Sequence, residues 1–236
     1  MSDYFATLHS TWPAAELWHV QGFDLRDGAG AGKRATAASL SGPFSAEGVT
    51  AAETDMRARG MKALFMVQDG QDDLDGELEQ RGYRTLDPTS IFAAPISALT
   101  DQRPPPVSSF VIWPPLAIVE DIWVECGTDR ARLALMHRTP DPKAAILGRT
   151  DDAPAGAAFA AIHQNICMVH ALDVIKTLRR KGTATNMMRR AAIWAQDLGA
   201  DEIAVAVTDT NAGAHALYSA LGLTVVGHYH YRVAPS

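Results

Sequence analysis

The sequence predicts an α/β protein assembled from two related modules, and three observations carry that reading. A strand–helix–glycine–strand unit occurs twice, as KALFMVQ…EQRGYR and EIAVAVT…SALGLT. One offset of 140 residues pairs Gly82 with Gly222, Phe65 with Val205, Val67 with Val207 and Gly42 with Gly182. Repeats of this kind point to duplicated units packed together, against the competing explanation of generic αβ patterning. Between them, residues 98–107 carry consecutive prolines and no hydrophobic period, which favours an extended spacer. The 236 residues, 47% of them hydrophobic, are also enough to bury a proper core. The expected division is a module over 1–97, a linker over 98–107 and a second module over 108–236.

In the first module, residues 17–39 read as two strands, LWHVQGFDLR and KRATAAS, around the turn DGAGAG. That turn is not a P-loop. Its first glycine is misplaced before Gly32-Lys33, and Arg34 stands where Ser or Thr would hold magnesium. A flexible hairpin connection is expected instead. Residues 45–59 form a helix with Ser45 as N-cap and Gly60 as stop. Residues 62–68 are a short buried strand, 72–81 a polar-faced helix stopped by Gly82, and 83–95 one or two strands.

After the prolines, residues 110–119 give a strand interrupted by Pro114 and Pro115, and 120–138 give helix broken near Gly127. Residues 143–149 and 156–163 read as antiparallel strands, followed by a strand over 166–175. A helix over 185–198 carries Met188, Ala191, Ala192 and Ala195 on one stripe, with Trp194 as further core, and Gly199 ends it. Strand 202–208, helix 211–221 and strand 223–233 complete the chain.

Composition excludes several classes. A net charge of −6, with RRK as the one basic run, argues against nucleic-acid binding. No stretch approaches the ~20 apolar residues of a membrane span. The start, MSDYFATLHSTWP, lacks the charged and apolar regions of a secretion signal. Cys126 and Cys167 give no disulfide framework, so a reducing cytoplasmic setting is expected.

Most of the chemistry hangs on residues 172–184, LDVIKTLRRKGTA. The strand ends in a cationic turn, and Gly182 lets backbone approach a ligand without a Cβ in the way. The following helix points its unpaired N–H groups and positive dipole end at that turn. Arg179, Arg180 and Lys181 add full charges, so the constellation suits a phosphate or pyrophosphate. Taken alone, the same residues also fit a plain basic helix start.

The spacing Arg179-x-x-Gly182-x-Ala184 resembles the [RQ]-x-x-G-x-[GA] pyrophosphate loop of the GNAT superfamily of acyl-CoA-dependent N-acyltransferases. Downstream, Asn211-x-x-Ala214-x-x-x-Tyr218-x-x-x-Gly222 resembles that family's second motif, with Leu223 in place of the usual Phe. The likeness covers residues 110–233 and departs at Lys176, where proline is common, and at Thr183, where a β-branched aliphatic is usual. It implies a mixed, mostly antiparallel sheet flanked by helices, with acetyl-CoA as co-substrate and no metal. A primary amine, on a small molecule or peptide, would attack the thioester directly. Arg179, Arg180, Lys181, Gly182, Thr183 and Ala184 would hold the diphosphate, and backbone at Val174 and Ile175 the pantetheine. Asn211 would anchor the pantetheine or the helix start, and Tyr218 would face the sulfur. The first module has SLSGPF in place of RRKGTA, Gln71 for Asn211 and Leu78 for Tyr218. It is expected to keep a smaller GNAT-like scaffold without the cofactor site. An oligomer is compatible with all of this.

A phenol of pKa about 10 can give a proton to a thiolate whose conjugate acid is near about 8.5. Tyr218 lies two helical turns past Asn211 on one face, although a buried structural phenol fits the position too. The base is more open. Asp173 and His170 lie on one strand, on opposite faces by parity, and Asp173 is the first choice because Leu172 and Val174 look core-facing. Glu125 is the second choice and a water chain the third. His163, Cys167 and His170, and the pair His228 and His230, lack the spacing of a zinc site. His228 and His230 are expected to reach the acceptor side. Two rival readings remain: a non-catalytic acyl-CoA sensor, and a protein acylase whose first module is an interaction surface.

Overall fold

The computed structural model describes residues 3–235. The first half runs α1 (Tyr4–Thr11), β1 (Glu16–Val20), β2 (Phe23–Asp27), α2 (Lys33–Thr36), β3 (Ala38–Leu40), α3 (Ala46–Ala58), β4 (Leu64–Gln68), α4 (Asp72–Gln80) and β5 (Arg84–Pro95). The proline-rich segment opens with the helical turn α5 (Ser97–Thr100). The second half follows with β6 (Ser109–Ile112), α6 (Ala117–Glu125), α7 (Arg130–Arg138), β7 (Lys143–Thr150), β8 (Ala153–His163) and β9 (Ile166–Val174). It ends with α8 (Thr183–Asp197), β10 (Glu202–Thr208), α9 (Ala212–Ala220) and β11 (Thr224–Val233).

Among the described residues the strands form one eleven-stranded sheet, in the order β1-β2-β3-β4-β11-β5-β10-β9-β8-β7-β6. Neighbours β3–β4 and β9–β10 are parallel, and the remaining pairs are antiparallel. The order contains an exchange. β11, the last strand of the second half, pairs with β4 of the first, while β5 of the first half pairs with β10 of the second. β5 and β11 then pair with each other, so the sheet runs unbroken past the proline-rich segment. The repeat is visible in the elements: residues 72–80 and 212–220 are both helices, and the glycines that follow them, Gly82 and Gly222, have φ of +80° and +83°. That left-handed conformation ends a helix and favours glycine.

In the second half, α8 covers one face of the sheet, packing Met187, Met188, Ala191 and Ala195 on Ile146, Ala158, Val169 and Ile203. The other face is closed by Trp12, Trp123, Leu135 and Phe159, which brings α1, α6 and α7 together. α1 carries no expectation from sequence. LWHVQGFDLR is a hairpin rather than one strand, because Gln21 and Gly22 both take positive φ (41° and 86°), as a tight two-residue turn requires. KRATAAS is likewise corrected: it forms the helical turn α2 and the short strand β3. Nor is the DGAGAG turn a loose connection. Its own Ala31 and the following Ala35 are buried, and a Cβ on Gly28 would lie 2.6 Å from the Thr36 hydroxyl. Cys126 and Cys167 are free thiols, and no helix among the described residues is long and apolar enough to cross a membrane.

Candidate active site

β9 and β10 pair in parallel as far as Val169 and Val205, and then their register stops. Beyond that point each strand stays tied to its outer neighbour, β9 to β8 and β10 to β5. A gap therefore opens in mid-sheet, and unpaired strand edges line it.

At the mouth of that gap lies the cationic turn. A short 3-10 turn (Lys176–Leu178) leads to Arg180 at φ +67° and Gly182 at φ +83°, and α8 begins at Thr183. Gly182 occupies the N-cap without any side-chain cap, and a Cβ there would meet nothing within 4 Å. The amides of Arg180, Gly182, Thr183, Ala184 and Thr185 donate to no group among the described residues. Open N–H groups at a helix start with no covering side chain make a ready anion site. Of the three cations, Arg179 turns back to donate from Nε to the Val174 carbonyl at 2.9 Å. Lys181 pairs with Asp151 at 2.6 Å on the β7–β8 turn. Arg180 is exposed and has no partner among the described residues. Thr183 is buried with its hydroxyl on that of Thr150, and Ala184 packs against the core below α8.

Sequence reasoning missed what lets α8 sit so low. A Cβ on Gly148 would lie 2.7 Å from Met187 Sδ and Thr183 Cγ2, and one on Gly156 would lie 2.8 Å from Met187 Cε. Glycines inside strand runs were the available signal, since they mark close approach of a neighbour.

Tyr218 is 7% exposed, packed with Val174, Val207 and Phe92, and its hydroxyl has no hydrogen-bond partner among the described residues. Burial foremost, and then the Asp173 carboxylate, push its pKa up to about 12, against a lowering by Arg34. Asn211 accepts the Ala214 amide at 3.1 Å through Oδ1, which fits the helix-start role. Two backbone groups that the resemblance assigns to pantetheine are already engaged: the Val174 carbonyl by Arg179, and the Ile175 amide by the Ala155 carbonyl at 2.9 Å.

The parity argument for His170 and Asp173 fails. Phe159 pairs with His170 and Ala157 with Asp173, so β9 holds an extra residue where Ala171 takes φ +45°. This bulge turns both side chains to the same face. His170 is buried beside Trp12, with ring centroids 4.9 Å apart. Its Nδ1 accepts from Arg34, so Nε2 carries the hydrogen and donates to Thr11 Oγ1 at 2.8 Å. Burial, then Arg34, hold its pKa well below the usual range, and the ring is neutral. Asp173 is half-buried; burial raises its pKa, with Arg179 and Arg132 pulling the other way.

Asp173 lines a cavity of about 320 Å³ whose walls come from both halves, Lys33, Arg34 and Asp87 on one side, Cys126 and Thr208 on the other. Glu125 is exposed at the end of α6 and is not among those walls. The expectation for His228 and His230 is corrected as well. Strand exchange carries β11 over to the first half, where His228 meets Asp69 at 3.3 Å and His230 meets Asp75 of α4 at 2.7 Å. Tyr229 and Tyr231 reach the cavity instead. Cys167 is fully buried in the core, its thiol pushed up to about 12 by burial. Among the described residues no group of three or more His, Cys, Asp or Glu side chains is placed to hold a metal ion.

The site is thus a mixed, mostly antiparallel sheet that splays beside a helix start with open amides. The family described as Acetyltransferase (GNAT) family matches residues 111–223, and this part of the chain belongs to it. Among solved structures, a GCN5-related N-acetyltransferase from Kribbella flavida is similar over 98% of this chain and 93% of its own, with a TM-score of 0.76 at 18% identity. A tandem GNAT protein from the clavulanic acid biosynthesis pathway is similar over 91% of this chain and 78% of its own, with a TM-score of 0.61 at 14% identity. A functionally unknown conserved protein from Staphylococcus epidermidis ATCC 12228 covers 94% of each chain, with a TM-score of 0.67 at 9% identity. At such identities the likeness is one of fold. No protein among the curated ones compared matches the sequence.

Proposed function

We propose that the protein transfers an acetyl group from acetyl-CoA to a primary amine by direct attack, in the reducing cytoplasm that its free thiols suit. The observation that carries this reading is the uncovered run of amides around Gly182 beside the unpartnered Arg180. That donor set fits a diphosphate, and bound acetyl-CoA would supply the activated acyl group. The first half supports the scaffold and part of the cavity.

Asp173, with its raised pKa, takes the proton from the acceptor's ammonium. The amine's electron pair then forms the C–N bond while the C–S pair leaves on sulfur. A phenol at about 12 is a weaker acid than a thiol at about 8.5, so full proton transfer from Tyr218 runs uphill. Tyr218 instead steadies the departing thiolate with a hydrogen bond. The proton lost by the acetylated nitrogen passes through solvent to the sulfur. An acyl-enzyme on Cys126 is disfavoured, because burial, then Asp173 and Glu125, raise that thiol's pKa and keep it from the nucleophilic thiolate form.

Thiol release from acetyl-CoA, screened against amines, amino acids, aminoglycosides and peptides, tests the reading. At least one amine should release thiol. Tight acetyl-CoA binding with no release for any acceptor would favour the sensor reading instead.

A further inference from the structure

Within the cavity, Arg34 is a cation without a counter-ion. Its Nε donates to the Tyr229 hydroxyl at 3.3 Å, Nη1 to His170 Nδ1 at 3.3 Å and Nη2 to the Ala206 carbonyl at 3.5 Å. A phenol, a neutral imidazole and a carbonyl carry no negative charge, and no carboxylate among the described residues pairs with this guanidinium. Burial works against its charge, while hydrogen bonds to the Tyr229 and Tyr231 hydroxyls favour it, and a guanidinium keeps its proton. The support is layered: His170 is held by Thr11, whose hydroxyl donates to the Thr7 carbonyl at 2.7 Å.

Holding even a half-buried charge without a counter-ion is costly. A chain that fixes such a charge at a cavity wall is arranged to receive an anion there. Lys33, next in sequence, is already spent on Asp87. Across the cavity, Asp173 offers the opposite charge. Arg34 and Asp173 line the same cavity, so both charges face one enclosed space. At about 320 Å³ the cavity sits at the low end of the roughly 300–1,000 Å³ usual for small-molecule sites.

We infer that the acceptor is a small amino carboxylate, such as a free amino acid. Arg34 of the first half binds its carboxylate and Asp173 of the second half faces its ammonium. The inference rests on the acetyl-transfer reading above, and it gives the first half a direct part in choosing the acceptor. Arg34 belongs to the turn rejected as a P-loop; its use is anion recognition of another kind.

The test compares free amino acids with their carboxamides and with phosphoethanolamine in the thiol-release assay, for the full chain and for Arg34→Gln and Arg34→Lys. A charged hydrogen bond of about 1.5–3 kcal/mol corresponds to about 10–100-fold. The acid should exceed its amide in kcat/KM by about that factor, and Arg34→Gln should erase the preference through KM while acetyl-CoA affinity stays within about twofold. Arg34→Lys should restore part of it. Equal use of acid and amide by the unmodified protein would overturn the inference, and that comparison needs no variant to fold. Phosphoethanolamine preferred over every amino carboxylate would overturn it too. If no amine releases thiol, acetyl transfer fails, and calorimetry of the same amino acids still decides: binding lost in Arg34→Gln supports the carboxylate site, and no binding to either protein removes it.

Discussion

The two halves share a scaffold and differ most where a strand hands over to its helix. In the second half the turn at Gly182 keeps its amides open, with nothing near the glycine. At the equivalent turn of the first half, the Ser41 and Gly42 amides both donate to the Gly22 carbonyl, at 2.8 and 3.0 Å. Gly42 is pressed against the β1–β2 turn, where its added Cβ would lie 3.2 Å from Gly22 Cα. Ser45 then caps α3 by accepting the Gly48 amide at 3.0 Å. One turn leaves the amide of its glycine open, and the other ties the corresponding amide back to the Gly22 carbonyl. A βα unit can thus keep its strand and helix whether the amides at its glycine turn are open or paired. The same contrast holds on the later helix, where Leu78 is fully buried and the Tyr218 hydroxyl has no partner among the described residues.

The largest effect expected from this contrast is at Gly182. Gly182→Glu places a carboxylate over the open amides, and its positive φ adds strain of about 1–2 kcal/mol. Acetyl-CoA affinity by calorimetry should fall by at least about 100-fold; unchanged affinity would mean that the turn does not bind the diphosphate. Next comes Tyr218→Phe, which removes the donor to the thiolate and should lower kcat by about 100-fold with little change in binding. Equal rates would leave Tyr218 a packing residue, as Leu78 is.

Asp173 gives a pH signature. Because burial raises its pKa, the acid limb of kcat/KM should lie above the ordinary carboxylate value of about 3.9, and Asp173→Asn should remove that limb. Between that value and the raised one the folded state binds more protons than the unfolded, so the group's contribution to stability falls as pH rises. Asp173→Asn should accordingly melt higher than the parent at neutral pH, and a lower melting temperature would contradict the burial cost. Smallest is the effect of Ser45→Ala in the first half. Loss of the cap should cost about 0.5–2 kcal/mol in denaturant unfolding while acetyl-CoA affinity stays unchanged. A parallel loss of affinity would show that the first-half turn also takes part in binding.

Local signals settled much of this molecule in advance. Glycine stops, the Ser45 cap and the spacing from Arg179 to Ala184 depend on backbone chemistry within a few residues, and they placed α3, α8, α9 and the open turn. The repeat at 140 residues followed from like positions making like contacts. Tertiary structure decided what depends on distant partners. The bulge at Ala171 reversed the face of Asp173, a change strand parity cannot show. The exchange of β5 and β11 carried His228 and His230 away from the cavity and brought Tyr229 and Tyr231 to it. Arg34 acquired its place only when α2, β9, β10 and β11 met. Such assignments rest on long-range pairing and on which charges end up buried together, and no window of sequence contains both partners.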